Sequence, residues 1–192
     1  MEDIREGFIN GYKIIKMILL KKGEMNWMKE YYALVNENDE IIGKISEDDK
    51  VEDDRQLRFA NIILYKDDKI IVPKRTLTKK MYPGCYDFSG GGHVNYGEDY
   101  LDAIIRETKE ELNINIYDIK ELGYYNPYKD NVECFSKLYT AKYDEKELNY
   151  SEDEIEEIYY YTPDEILKMI KDTPQLFKID YRKIFKKIFE DK

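Results

Sequence analysis

Two short stretches hold the residues of this chain best suited to chemistry. One is the glycine triplet Gly90-Gly91-Gly92, followed by Glu98; the other is Arg106-Glu107-Thr108-Lys109-Glu110-Glu111. Glu107 and Glu111 are spaced i, i+4 and Glu107 and Glu110 i, i+3, so on a helix all three carboxylates project together. Like charges at that spacing repel by roughly a few tenths of a kcal/mol per pair. A solvated helix face tolerates this, but it normally intersperses lysines, and Lys109 is the only one in the run. Hard divalent cations such as Mg2+ or Mn2+ take oxygen ligands and would offset the repulsion. Spacing alone leaves both readings open. The glycines let the backbone approach a ligand or metal closely.

A helix must position these groups. Asp99 is its expected N-cap, with Asp102 in the first turn favourable to the dipole. Leu101, Ile104, Ile105 and Leu112, with Thr108 between them, form one stripe at 3.6 residues per turn and should face the core. The three glutamates should lie on the other side. Asn113 stands at the helix end, where a left-handed residue is wanted.

The order Gly92, five residues, Glu98, seven residues, Arg106-Glu107-x-x-Glu110-Glu111 resembles the Nudix box, with every charged position present. Thr108 replaces the usual aliphatic residue and Asn113 the usual glycine; both are mild departures. The resemblance implies an α/β/α sandwich with a mixed β-sheet. It also implies a hydrolase of acid anhydrides, cleaving the diphosphate (pyrophosphate) bond of a nucleoside diphosphate linked to another moiety. Glu107, Glu110 and Glu111 would hold Mg2+ or Mn2+, with the carbonyl of Gly92 as a further ligand. Arg106, with Glu98, would brace the loop–helix turn. Lys74 and Arg75, at a strand end near the substrate cleft of such proteins, are candidates to touch phosphate; a solvated strand end is the alternative. A further base or ligand from outside the box is sought among Glu154, Glu156 and Glu133, against the alternative of a solvated acidic turn. His93, the only histidine, either faces the metal cluster or is a hydrogen-bonded strand residue.

The segment from Arg75 through Tyr82-Pro83-Gly84 to Tyr86-Asp87 is similar to the branch that includes isopentenyl-diphosphate isomerase. That enzyme has cysteine where this chain has Gly90, and its metal site uses three histidines. Isomerase activity is therefore the rival reading. A non-catalytic Nudix ligand-binding module is a third, opposed by the intact glutamates.

The remaining residues supply the scaffold. Residues 31–192 are read as the Nudix domain and 1–30 as an N-terminal extension, with Ile14, Ile15, Ile18 and Leu19 at helical spacing. Net charge of −10 across 192 residues opposes a broad nucleic-acid or anionic-membrane surface. Cys85 and Cys134 offer no disulfide framework, are read as small buried residues, and point to a reduced, cytoplasmic setting. The apolar run around Met17–Leu20 is too short to span a bilayer. A small-molecule diphosphate is the expected partner, and a homodimer is common among relatives. Strands are expected at 31–35 and 41–45 as a hairpin, 59–65, 70–75, about 114–125, 133–143 and about 155–161. Helices should follow Thr162-Pro163-Asp164-Glu165, to about Ile170, and span Ile179–Phe189, with Tyr181, Ile184, Phe185 and Ile188 inward.

Overall fold

The computed structural model describes residues 30–46, 48–52, 55–144 and 148–190. The expected N-terminal helix lies outside them. The hairpin forms as anticipated: β1 (Tyr31–Val35) and β2 (Ile41–Ser46) pair antiparallel. Its turn is built by Asn36, whose side-chain oxygen accepts the N–H groups of Asn38 and Glu40 at 3.0 Å each. Asp39 takes the left-handed conformation there, with φ of 63°.

The near-continuous apolar run becomes the long central strand β3 (Gln56–Lys66), and Asp67 turns it into β4 (Lys69–Arg75). Then follow β5 (Gly90–His93), α1 (Tyr100–Leu112), β6 (Ile116–Tyr125) and the short helical turn α2 (Pro127–Asp130). The chain continues through β7 (Phe135–Tyr143), β8 (Ile155–Tyr161), α3 (Pro163–Asp172) and α4 (Ile179–Phe189). α2 was not anticipated; Asn126 caps it and Pro127 opens it. α3 starts at a full capping box between Thr162 and Glu165 and runs two residues beyond Ile170 before Pro174 ends it.

Every other long strand pairs with β3 or with one of its neighbours. β1, β5 and β4 run antiparallel to successive parts of it, and β7 runs parallel to it from Arg58/Phe135 to Leu64/Ala141. β6 extends the sheet beyond β7, and β8 beyond β4. That single parallel pair makes the sheet mixed.

Side chains alternate across β3 and so divide the core. Ala60, Ile62 and Leu64 pack with Tyr100, Ala103, Ile104 and Leu112 of α1. Ile63 packs on the opposite face with Ile166 and Ile170 of α3 and Tyr181, Ile184 and Phe185 of α4. This is the α/β/α sandwich. Each fully buried Leu, Ile or Phe contributes about 1.5–3 kcal/mol. Cys85 and Cys134 are free thiols and only half-buried, so neither is the core residue expected. Among the described residues no helix is long and apolar enough to cross a membrane.

Candidate metal centre and active site

Asp99 caps α1 through its side chain, which accepts the Asp102 N–H at 2.8 Å, and Asn113 closes the helix in the left-handed conformation with φ of 56°. Between these ends the packed stripe is rotated from the one expected. Tyr100, Ala103, Ile104, Thr108 and Leu112 are buried, Leu101 is exposed and Ile105 half-buried. At 100° per residue, Glu107 and Glu111 then fall within the buried stripe, and Glu110 outside it. The three carboxylates therefore do not share one solvated side: Glu110 is exposed, while Glu107 and Glu111 face β5. Thr108, at the departure from the box, is buried with its hydroxyl donating to the Ile104 carbonyl at 2.6 Å.

β5 accommodates this because it is almost free of side chains. A Cβ on Gly92 would overlap the Glu107 carboxylate, and one on Gly90 would lie 3.1 Å from Glu111 Oε2. The Gly91 N–H donates to Glu111 Oε2 at 2.9 Å. The register settles which backbone groups face α1. The Val94 N–H donates to the Arg58 carbonyl, and Gly92 is opposite Ala60. In an antiparallel ladder residues alternate between hydrogen-bonded and outward-facing positions. Gly92 is thus turned into β3, while Gly91 and His93 present their N–H and C=O groups to the helix. The carbonyl on the helix side is therefore Gly91's, and that of Gly92, the backbone ligand expected from the sequence, is on the side of β3.

Arg106 binds the loop to the helix. It donates to both Glu98 oxygens at 2.8 and 3.0 Å, to Glu107 at 2.7 Å, to Glu110 at 3.3 Å and to the His93 carbonyl at 3.0 Å. These carboxylates hold its guanidinium firmly charged despite burial.

Glu111 is the most electrostatically unusual group. Burial pushes its carboxyl well above the ordinary range, the negative charges of Glu107, Asp87 and Glu154 push the same way, and the Gly91 N–H pulls back. Among the described residues no three acid, imidazole or thiol groups already converge on one point as metal ligands. Glu107 and Glu110 are instead paired with Arg106. The donor chemistry nonetheless fits a hard divalent cation: carboxylate oxygens and one free-facing carbonyl, with no imidazole or thiolate.

The other candidates are dispersed. Arg75 donates to Asp87 at 3.1 Å and to the Met81 carbonyl at 3.2 Å, and Lys74 pairs with Glu156 at 2.9 Å. Glu154 pairs with Lys79 and lies within the field of Glu111. Glu133 accepts the Tyr82 hydroxyl at 2.6 Å, and its own N–H donates to both oxygens of Asp180 at 3.1 and 3.0 Å. The charge of Glu154 acts on Glu111, while the contacts of Glu156 and Glu133 lie with Lys74 and Tyr82. The charge of Asp87, which the sequence reading missed, acts there too; its only signal was its place just ahead of the glycines. The His93 ring stacks on Tyr32 at 4.3 Å and meets the edge of Phe59 at 4.8 Å. Burial, then Lys178 and Arg106, lower its imidazole to about 4. It is an aromatic packing residue, not a member of the acid cluster. A concavity of about 1190 Å³ is lined by Tyr65, Tyr117, Tyr143, Tyr150 and Tyr160 among others and contains none of the acid-cluster residues.

Comparison with known proteins agrees with this architecture. The NUDIX domain family model matches residues 54–185, and the chain belongs to the Nudix hydrolase family. A Nudix hydrolase from Deinococcus radiodurans is 30% identical over 144 residues, covering 73% of this chain and 84% of that protein. An uncharacterized Nudix hydrolase from Nostoc is 38% identical over 104 residues, 53% of this chain and 61% of that protein. The crystal structure of a Deinococcus radiodurans protein superposes with a TM-score of 0.75 at 26% identity, covering 83% of this chain and 99% of that one. A MutT Nudix hydrolase from Burkholderia pseudomallei shares the fold, with a TM-score of 0.55 at 21% identity over 69% of this chain and 97% of that one.

Proposed function

We propose that this protein is a divalent-cation-dependent hydrolase, using Mg2+ or Mn2+, that cleaves the diphosphate bond of a nucleoside diphosphate linked to another moiety. Hydrolysis of pyrophosphate bonds is general to the family. The observation that carries the reading here is the buried Glu111 carboxylate, fixed by the Gly91 N–H and surrounded by like charge. Such a group is costly unless it meets a cation.

Glu107, Glu111 and the Gly91 carbonyl would hold the cation, with Glu110 free to turn in from the exposed side. The bound cation supplies charge neutralisation for a diphosphate that an acidic protein otherwise repels. The chain's own residues do the rest. The Gly91 N–H orients Glu111, and Arg106 keeps the loop and helix in register. Glu154, on release from Lys79, would accept the proton of the attacking water as its oxygen bonds to phosphorus and the bridging phosphorus–oxygen bond breaks, the other phosphate leaving with that oxygen. No observation favours the isomerase: position 90 is glycine, with Glu111 pressed against it, and the sole histidine is packed between aromatic rings.

The test is a panel of ADP-ribose, nucleotide sugars, dinucleoside polyphosphates and damaged nucleoside triphosphates, with Mg2+ or Mn2+, scored for new phosphate-bearing products. At least one should be cleaved, and EDTA should stop the reaction. If Glu111→Gln cleaves that compound as fast as wild type, the assignment is wrong.

A further inference from the structure

The basic side chains near the acid edge differ in how completely they are engaged. Arg106 has Glu98 and Glu107, Arg75 has Asp87, Lys74 has Glu156 and Lys79 has Glu154, with the carboxylate oxygen within 3.1 Å in every one of these pairs. Lys178 does not match them. Its Nζ is 3.6 Å from Asp87 Oδ2, beyond hydrogen-bonding distance, and lies 4.3 Å above the Phe59 ring. No hydrogen bond of the ammonium is found among the described residues, although its charge also acts on His93 and Asp180, and the side chain is only 12% exposed. A nearly buried ammonium with three donors and no hydrogen-bond acceptor is expensive. Its position is fixed from both ends: the Lys178 N–H donates to the Tyr86 carbonyl at 3.1 Å, and Asp87 is anchored by the Phe88 N–H at 2.9 Å and by Arg75.

We propose that Lys178 is a substrate-binding residue that donates to an anionic phosphate oxygen, with Asp87 as its positioning residue. The inference rests on the diphosphate hydrolase reading for the identity of the anion. Lys178 reaches the site from the start of α4, on the face of the sheet opposite α1. The β5 edge lies between the two, so a diphosphate there would have a carboxylate-held cation on one side and a fixed ammonium on the other. Asp87 connects them, touching Lys178 directly and acting on Glu111 through its charge. Phe59 supplies a ring face to the ammonium without consuming its donors.

The test uses the full-length protein and imidodiphosphate, a diphosphate that resists hydrolysis, titrated by calorimetry in EDTA and again with Mg2+. Variants are Lys178→Met, Lys178→Arg and, as a distant charge control, Lys171→Met. Loss of one charge-assisted hydrogen bond should weaken binding about tenfold or more in Lys178→Met. Lys178→Arg should recover to within about threefold of wild type, because its donors also reach an anion, and Lys171→Met should match wild type. On whichever panel compound wild type cleaves, Lys178→Met should raise KM with a smaller change in kcat. Equal affinity of wild type and Lys178→Met, or no binding to wild type in either condition, overturns the inference. Tenfold weaker binding in Lys178→Met from a wild type that hydrolyses nothing would uphold the anion subsite while removing the hydrolase reading.

Discussion

On one face of the sheet α4 presses Tyr181, Ile184 and Phe185 inward, and its one buried carboxylate, Asp180 in the first turn, is taken up by the Glu133 N–H. On the other, α1 begins the same way with Tyr100, Ala103 and Ile104, then puts Glu107 and Glu111 at positions where the same periodicity calls for hydrocarbon. Both helices are amphipathic and both cover β3. α4 meets side chains, whereas the second half of α1 meets the bare backbone of β5. Packing periodicity thus serves cohesion on one face, and on the other it delivers carboxylates to a chosen edge.

Paired substitutions would break this contrast most sharply if it is wrong. Phe185→Ala should cost about 3–5 kcal/mol of stability, read by denaturant unfolding, with little change in kcat of the folded fraction. Glu111→Gln should do the reverse. It keeps an oxygen for the Gly91 N–H and removes a disfavoured charge, so the melting temperature should hold or rise while turnover falls on the order of 100-fold or more. A drop in stability for Glu111→Gln comparable to that of Phe185→Ala would erase the distinction between the two helices.

His93 gives the next largest effect. Its imidazole titrates near 4 in the folded protein against an ordinary value of 6.5. Below about pH 6.5 the unfolded chain therefore takes up a proton that the folded one refuses. Stability should fall as pH drops from 6.5 to 4, by at most about 3 kcal/mol from this residue. His93→Phe keeps an aromatic ring between Tyr32 and Phe59; in EDTA, its stability difference from wild type should grow in its favour across that window. A constant difference would mean that the imidazole is not held neutral.

Glycine substitutions probe β5 itself. Gly92→Ala drives a Cβ into the Glu107 carboxylate and should cost about 1–3 kcal/mol along with activity. Gly43→Ala, in β2, meets nothing within 4 Å and should stay within about 0.5 kcal/mol. The smallest effect is at the helix end. Asn113 occupies a left-handed cap, so Asn113→Gly should stabilise by a few tenths of a kcal/mol, up to about 0.5.

Much of this was legible in the chain. The hairpin turn at Asn36–Glu40, the buried run in β3, the Asp99 cap and the Thr162–Glu165 capping box are local signals, and local chemistry fixes them. The rotation of α1 was not legible, because Leu101 and Ile105 look as apolar as Tyr100 and Ala103; only packing against β3 and β5 decides between the two stripes. Which of the Gly91 and Gly92 carbonyls faces α1 depends on strand register, which one strand's sequence does not contain. Asp87 and Lys178 come together through the approach of α4 to the segment before β5, a contact between positions 91 residues apart in the chain.

Because three of the four residues of β5 are glycine, it works as a ledge whose one side chain, His93, is packed between Tyr32 and Phe59. A Cβ at Gly92 would overlap the Glu107 carboxylate, and one at Gly90 would crowd that of Glu111. Variation at this edge must then come from the elements packed around the ledge, and laboratory redesign should leave the ledge itself fixed.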